Sequence, residues 1–149
     1  MIEAAFASFS MNKKTDRVDI VVYDKNSCKL VFAEAKHYSN PEIWASTGTA
    51  EVVSQVKRYK TQIRKRKSEI LKAYTEYIYA VNRIFNCNLP LPLEIDDEVI
   101  LLVFGFDSKQ RSKLSDKDFK ATMTGVKRYI IGNQARINLG DMLRNAKVI

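Results

Sequence analysis

Two stretches of alternating apolar residues, Arg17-Val-Asp-Ile-Val-Val-Tyr-Asp24 and Lys29-Leu-Val-Phe-Ala-Glu-Ala-Lys36, are separated only by Lys25-Asn-Ser-Cys28. Strands joined by so short a loop pair antiparallel as a hairpin. A four-residue loop sets Asp24 opposite Lys29, and the same register sets Asp19 opposite Glu34. Directly opposed residues share a face of the sheet, with Cβ atoms about 5 Å apart. Alternation then brings Lys36 onto the face of Glu34. Two carboxylates and an ammonium thus converge on one patch of a mostly apolar hairpin. That costs free energy unless the charges bind a cation or take part in chemistry.

The rest of the chain supplies a setting for this patch. Residues 4–11 (Ala-Ala-Phe-Ala-Ser-Phe-Ser-Met) fit either a strand that turns at Asn12–Asp16 into the Asp19 strand or a short helix. His37 to Thr49, with Asn40-Pro41 and Gly48, reads as a loop. From Ala50 to about Asn86 the apolar residues Val52, Val56, Tyr59, Ile63, Ile70, Tyr74, Ile78, Val81 and Phe85 recur at helical spacing. One helix of that length would reach roughly 55 Å, so a break near Arg66 to Ser68, or a protruding helix, is expected. Pro90 and Pro92 close the region, and Glu98 to Phe106 is a continuous apolar run of the kind found in strands buried on both faces. A second helix is predicted from Ser115, with Asp118 three residues on, an apolar stripe at Phe119, Met123, Val126 and Ile130, and an end at Gly132. A short final strand is predicted around Ala135 to Leu139. Strands first, then a long helix, a buried strand and a helix give an α/β fold: a mixed central sheet with flanking helices.

Composition narrows the function classes. With 149 residues, 46% of them apolar and 28% charged, the chain can build the core of a single domain. No apolar run is long enough to span a bilayer, and the N-terminus lacks the order of a signal peptide. Cys28 and Cys87 are too isolated for a metal site or a disulfide framework and fit two thiols in a reducing cytoplasm. The formal net charge of +8 favours an anionic partner. A lipid surface is disfavoured, because the basic run at 57–67 faces no lipid-inserting apolar side. Nucleic acid, with DNA in first place, is the expected partner.

Opposed carboxylates on a sheet suit a hard divalent cation, Mg²⁺ or Mn²⁺, which takes oxygen ligands and keeps several waters. Asp19 and Glu34 are the candidate ligands, and the carbonyl of Ala35 between Glu34 and Lys36 is a further oxygen. Lys36 would orient a nucleophile and stabilise charge on a phosphoryl transition state. The set suits metal-dependent phosphodiester hydrolysis, and no serine–histidine pair competes with it, His37 being the sole histidine.

Asp19 before an apolar strand, followed by Glu34-Ala35-Lys36, resembles the PD-(D/E)xK nuclease superfamily. Gln55-Val-Lys-Arg-Tyr59, on the helix that follows, is similar to the Gln-x-x-x-Tyr motif of its RecB-like branch. The match covers residues 17–60; the later strand and helix agree in order alone. The resemblance implies a restriction-endonuclease-like fold, Asp19 and Glu34 as metal ligands, Lys36 as catalytic lysine, and Gln55 with Tyr59 as a DNA-contacting and site-supporting pair. The triplets Asp107-Ser-Lys109 and Asp118-Phe-Lys120 have no opposing aspartate in a preceding hairpin. The family's longer first helix, with its further acidic residue, is missing, and Glu3 is the sole acidic candidate upstream of Asp16. This departure implies a piece of a longer protein, or a helix supplied by another domain or a second copy.

Plainer readings stand beside these. Asp19, Glu34 and Lys36 form a structural ion cluster if the sheet face is open to water. Lys57, Arg58 and Lys60 belong to a run of seven basic residues between 57 and 67, which is either a solvated helix face or a contact to phosphates. Tyr38 and Trp44 anchor a loop, Asp16 and Asp24 are turn residues, and His37 points away from the site. The rival function is a nucleic-acid-binding module that keeps the fold with an unused site.

Overall fold

A computed structural model describes residues 17–148. The candidate strand at 4–11, with Glu3 and Asp16, lies outside the described residues. Ile20 to Tyr23 alternate between the two faces, and β1 (Ile20–Asp24) pairs antiparallel with β2 (Lys29–His37) in the expected register, from Asp24 opposite Lys29 to Ile20 opposite Ala33. Asp24 closes the turn, accepting from the amide of Asn26 and the hydroxyl of Ser27 at 3.0 and 2.7 Å. Cys28 takes a positive φ of 52° at the end of the loop.

A 3₁₀ turn (Pro41–Ile43) leads into α1 (Glu51–Lys65) and α2 (Lys67–Phe85). The expected break falls at Arg66, whose φ and ψ of −115° and 17° end one helix and start the next. The crossover returns the chain to β3 (Glu94–Phe104), parallel to β2. Helices α3 (Ser108–Ser115) and α4 (Lys117–Thr122) then carry it to β4 (Lys127–Ile131), parallel to β3. A 3₁₀ turn (Gln134–Arg136), α5 (Leu139–Asn145) and the two-residue β5 (Lys147–Val148), antiparallel to β4, complete the described chain. The sheet order is β1-β2-β3-β4-β5, mixed, with helices on both faces.

One face carries Val21, Phe32, Leu101 and Val103 against Val52, Val53, Val56, Tyr59 and Ile63 of α1. Each such side chain contributes about 1.5–3 kcal/mol on full burial. The other face carries Val22, Ala33, Ile100 and Leu102 against Met142 of α5. No helix among the described residues is long and apolar enough to cross a membrane.

Three expectations are corrected. The buried strand begins at Glu94, not Glu98, because Glu94 and Ile95 pair with Lys29 and Leu30 ahead of a bulge. The second helix does not run from Ser115 to Gly132. Its capping box is Asp107 with Gln110, which opens α3, and helix ends at Thr122. Gly125, at φ +80°, turns the chain into β4, so Val126 and Ile130 belong to a strand and its approach. Finally, 135–139 is not a strand but a 3₁₀ turn and the start of α5, capped by the Asn138 side chain on the amide of Asp141.

Candidate active site

The site is built where β1 stops and β2 continues. β1 offers its last ladder partner at Ile20, leaving the amide of Ala35 without a strand opposite it. Asp19 fills that place: its Oδ2 accepts from the Ala35 amide at 2.9 Å. Asp19 itself lies in the bend just before β1 and is exposed, while Val18 beside it packs toward the face covered by α1. Glu34 and Lys36 pair across to Leu101 and Val103 of β3, whose side chains line that same face. Glu34 and Lys36 are therefore brought to one side of the sheet; the expected pairing of Asp19 opposite Glu34 is not part of the ladder, and Asp19 comes beside Glu34 through the Ala35 amide instead.

Glu34 is buried, with 2% of its surface exposed, and its Oε2 has no hydrogen-bond partner among the described residues. Burial pushes its carboxyl up to about 7; the Lys36 hydrogen bond pulls the other way, and the neighbouring Asp19 charge adds to the rise. Lys36 Nζ lies 2.8 Å from Glu34 Oε1 and 2.5 Å from Glu42 Oε2. Burial favours its neutral form, but the two carboxylates outweigh that and raise its pKa above the ordinary lysine value. The result is an ammonium held firmly charged beside a carboxyl whose desolvation is only partly offset. Glu42 sits in the 3₁₀ turn after β2, outside any periodic pattern. The one signal for it was Asn40-Pro41, a capped turn starting four residues past Lys36.

Gln55 and Tyr59 lie one turn apart on α1, and Gln55 Nε2 donates to the Tyr59 hydroxyl at 2.8 Å. That hydroxyl in turn donates to the Arg17 carbonyl, two residues before Asp19. Tyr59 is only 2% exposed, so its contact is with the chain leading into Asp19 rather than with solvent. Lys57 and Arg58 are on the exposed side of α1. Lys60 is turned inward onto Glu98 of β3 at 2.5 Å. Arg64 and Lys67 reach Asp97, at 3.8 and 3.4 Å. Much of the basic run is thus matched by acids of β3.

Trp44 donates through Nε1 to the Tyr38 carbonyl at 2.9 Å and packs on Phe119, so these aromatics hold the loop that carries Glu42. His37 points to the other side, its ring edge-on to Phe104. Among the described residues no three histidine, cysteine, aspartate or glutamate side chains gather in a group that could hold a metal. The donor set facing a cation is two carboxylates, Asp19 and Glu34. It fits Mg²⁺ or Mn²⁺, ions bound by one or two carboxylates with water and substrate phosphate. The unpartnered Glu34 Oε2 is the buried oxygen that a cation would satisfy. Compared with protein-family models, curated proteins and solved structures, the chain matches none of them.

Proposed function

We propose that this protein is a metal-dependent nuclease that hydrolyses phosphodiester bonds, with DNA as its first substrate, and that its mixed sheet is a form of the restriction-endonuclease-like fold. The observation that carries the reading is Glu34: a fully buried carboxylate with one orphaned oxygen, beside Asp19 and on the same face as Lys36, directly after the core residues Leu30 to Ala33 of β2. A merely structural ion pair gains nothing from a second carboxylate left half satisfied.

In this reading Asp19 and Glu34 would hold Mg²⁺ or Mn²⁺. Such an ion, when bound, polarises a phosphoryl oxygen and lowers the pKa of a coordinated water. The chain's own residues do the rest. Lys36 places a fixed positive charge where the non-bridging oxygens gain negative charge in the transition state. Tyr59, steadied by Gln55, ties down the Arg17 carbonyl and so fixes the entry to Asp19. Lys57 and Arg58 on the exposed side of α1 attract the phosphate backbone, in keeping with the net charge of +8.

A second reading has its own observation. Lys36 is already engaged on both sides by Glu34 and Glu42, which suits a nucleic-acid-binding module whose site is unused. Incubation of plasmid DNA, single-stranded DNA and RNA with Mg²⁺, Mn²⁺ or EDTA separates the two. Cleavage that needs the metal and is lost in Lys36→Ala supports the nuclease. Binding without cleavage of any substrate transfers the function to the binding module.

A further inference from the structure

Glu42 is the one member of the ion cluster outside the Asp-Glu-Lys set, and its surroundings differ from those of Glu34. Both carboxylates touch the same ammonium, but Glu34 is fixed in the central sheet and fully buried, whereas the Glu42 side chain is 35% exposed. Its Oε2 is buried against Nζ at 2.5 Å, and this contact with Glu42 helps keep the ammonium charged. The turn does not need this side chain. Asn40 Oδ1 caps the amide of Glu42 at 2.9 Å, Ile43 is fully buried, and Trp44 N–H donates to the Pro41 carbonyl at 3.0 Å. A carboxylate that the turn can spare thus meets the lysine through a buried oxygen, on a side chain that is itself one-third exposed.

We propose that Glu42 is a positioning residue that serves as the exchangeable counter-ion of Lys36: it holds the ammonium against Glu34 in the empty site and yields it to an incoming phosphate of a nucleic acid. The inference rests on the reading that Lys36 meets a substrate phosphate, but not on hydrolysis taking place. Phosphate and the Glu42 carboxylate are both anions that seek the same Nζ, and only one of them can be close to it without strong repulsion. Glu34 keeps its hold on Lys36 throughout, because it has no solvent path to leave by.

The test is a double-mutant cycle read by fluorescence anisotropy. Short fluorescein-labelled single-stranded and duplex DNA are titrated with wild type, Glu42→Gln, Lys36→Met and the double variant, in EDTA and again with Ca²⁺. Circular dichroism checks each fold, and Glu42→Ala serves as a second variant at that position. Glu42→Gln is expected to tighten binding about three- to tenfold, the weight of one ammonium released to meet a phosphate in partly screened surroundings. In the Lys36→Met background the same change is expected to gain less than half as much. An equal gain in both backgrounds, or no gain in wild type, overturns the counter-ion role while leaving the nuclease proposal standing. Coupling without any cleavage in metal keeps the counter-ion role and removes the nuclease. Absence of binding by every form of the protein overturns both.

Discussion

Two groups of charges lie on this fold, and they are composed in opposite ways. On β3, Asp96, Asp97 and Glu98 are met by Lys127, Arg64, Lys67 and Lys60, four cations for three carboxylates, none of them fully buried and Arg64, Lys67 and Asp97 the most open to water. At the end of β2, Glu34 and Glu42 hold the single ammonium of Lys36 between them, Asp19 adds a third carboxylate beside Glu34, and Glu34 and Lys36 are buried. The first group is balanced and solvated, the ordinary condition of surface ion pairs. The second carries excess negative charge in a place where charge is costly. A fold has no use for that excess by itself, and this is why the proposed function is assigned to the β2 group.

The comparison can be broken in several ways, the sharpest being catalytic. Lys36→Ala is expected to lower metal-dependent cleavage by about 100- to 1000-fold, the range for loss of one charge-stabilising group, with DNA affinity nearly unchanged. Asp97→Asn, in the balanced group, is expected to leave cleavage within about twofold of wild type, as for a surface charge away from the chemistry. Comparable losses in plasmid assays for the two variants would erase the distinction.

Stability gives the next contrast. Lys36→Met leaves the Glu34 carboxylate buried without its cation, and urea unfolding should show a loss of about 3 kcal/mol. Lys67→Met removes one exposed partner of Asp97 and is expected to cost less than about 1 kcal/mol. A small effect at Lys36 would mean that its pair is as solvated as the one on β3.

Metal binding sharpens the same point. Titration with Mn²⁺ followed by electron paramagnetic resonance should show affinity weakened by about tenfold or more in Asp19→Asn and in Glu34→Gln, since each removes one of the two proposed charged oxygen ligands. Asp96→Asn should leave the titration unchanged. Equal weakening at Asp96 would show only diffuse attraction of a cation to acids.

The smallest effect concerns DNA and salt. Removing Lys57, Arg58 and Lys60 together should shrink the slope of log affinity against log salt by nearer two units than three, at about 0.9 per duplex phosphate contact. Lys60 is expected to add little because Glu98 already holds it. The matched set Lys109, Arg111 and Lys113, on α3, should change the slope by less. An equal change would take α1 out of the proposed substrate groove.

Much of the β1–β2 region was legible because hairpin registry is local: loop length fixes the ladder from Asp24–Lys29 to Ile20–Ala33, and alternation along β2 sets Glu34 and Lys36 on one face, whereas Asp19 falls just beyond the ladder and is held by the Ala35 amide. The break at Arg66 was legible from helix length. The β3–β4 region was not, for tertiary reasons. Glu94 to Asp97 look unlike a strand until Lys29, Lys67, Arg64 and Lys127 are brought to them. Phe119, Met123, Val126 and Ile130 keep helical spacing through a boundary that a positive-φ glycine imposes at 125. Glu42 was missed because a lone acid in a polar loop carries no period; only the folded turn aims it at Lys36.

The bond from the Ala35 amide to Asp19 has one more consequence. Neighbouring amides of β2 are protected by other strands and exchange with solvent only as the sheet opens. The Ala35 amide instead answers to a single side chain, so its exchange follows the position of one carboxylate. It is a built-in indicator, readable by hydrogen-exchange NMR without substrate or cleavage. Whatever draws Asp19 away, or locks it in place, will register at that one proton before the rest of the fold responds.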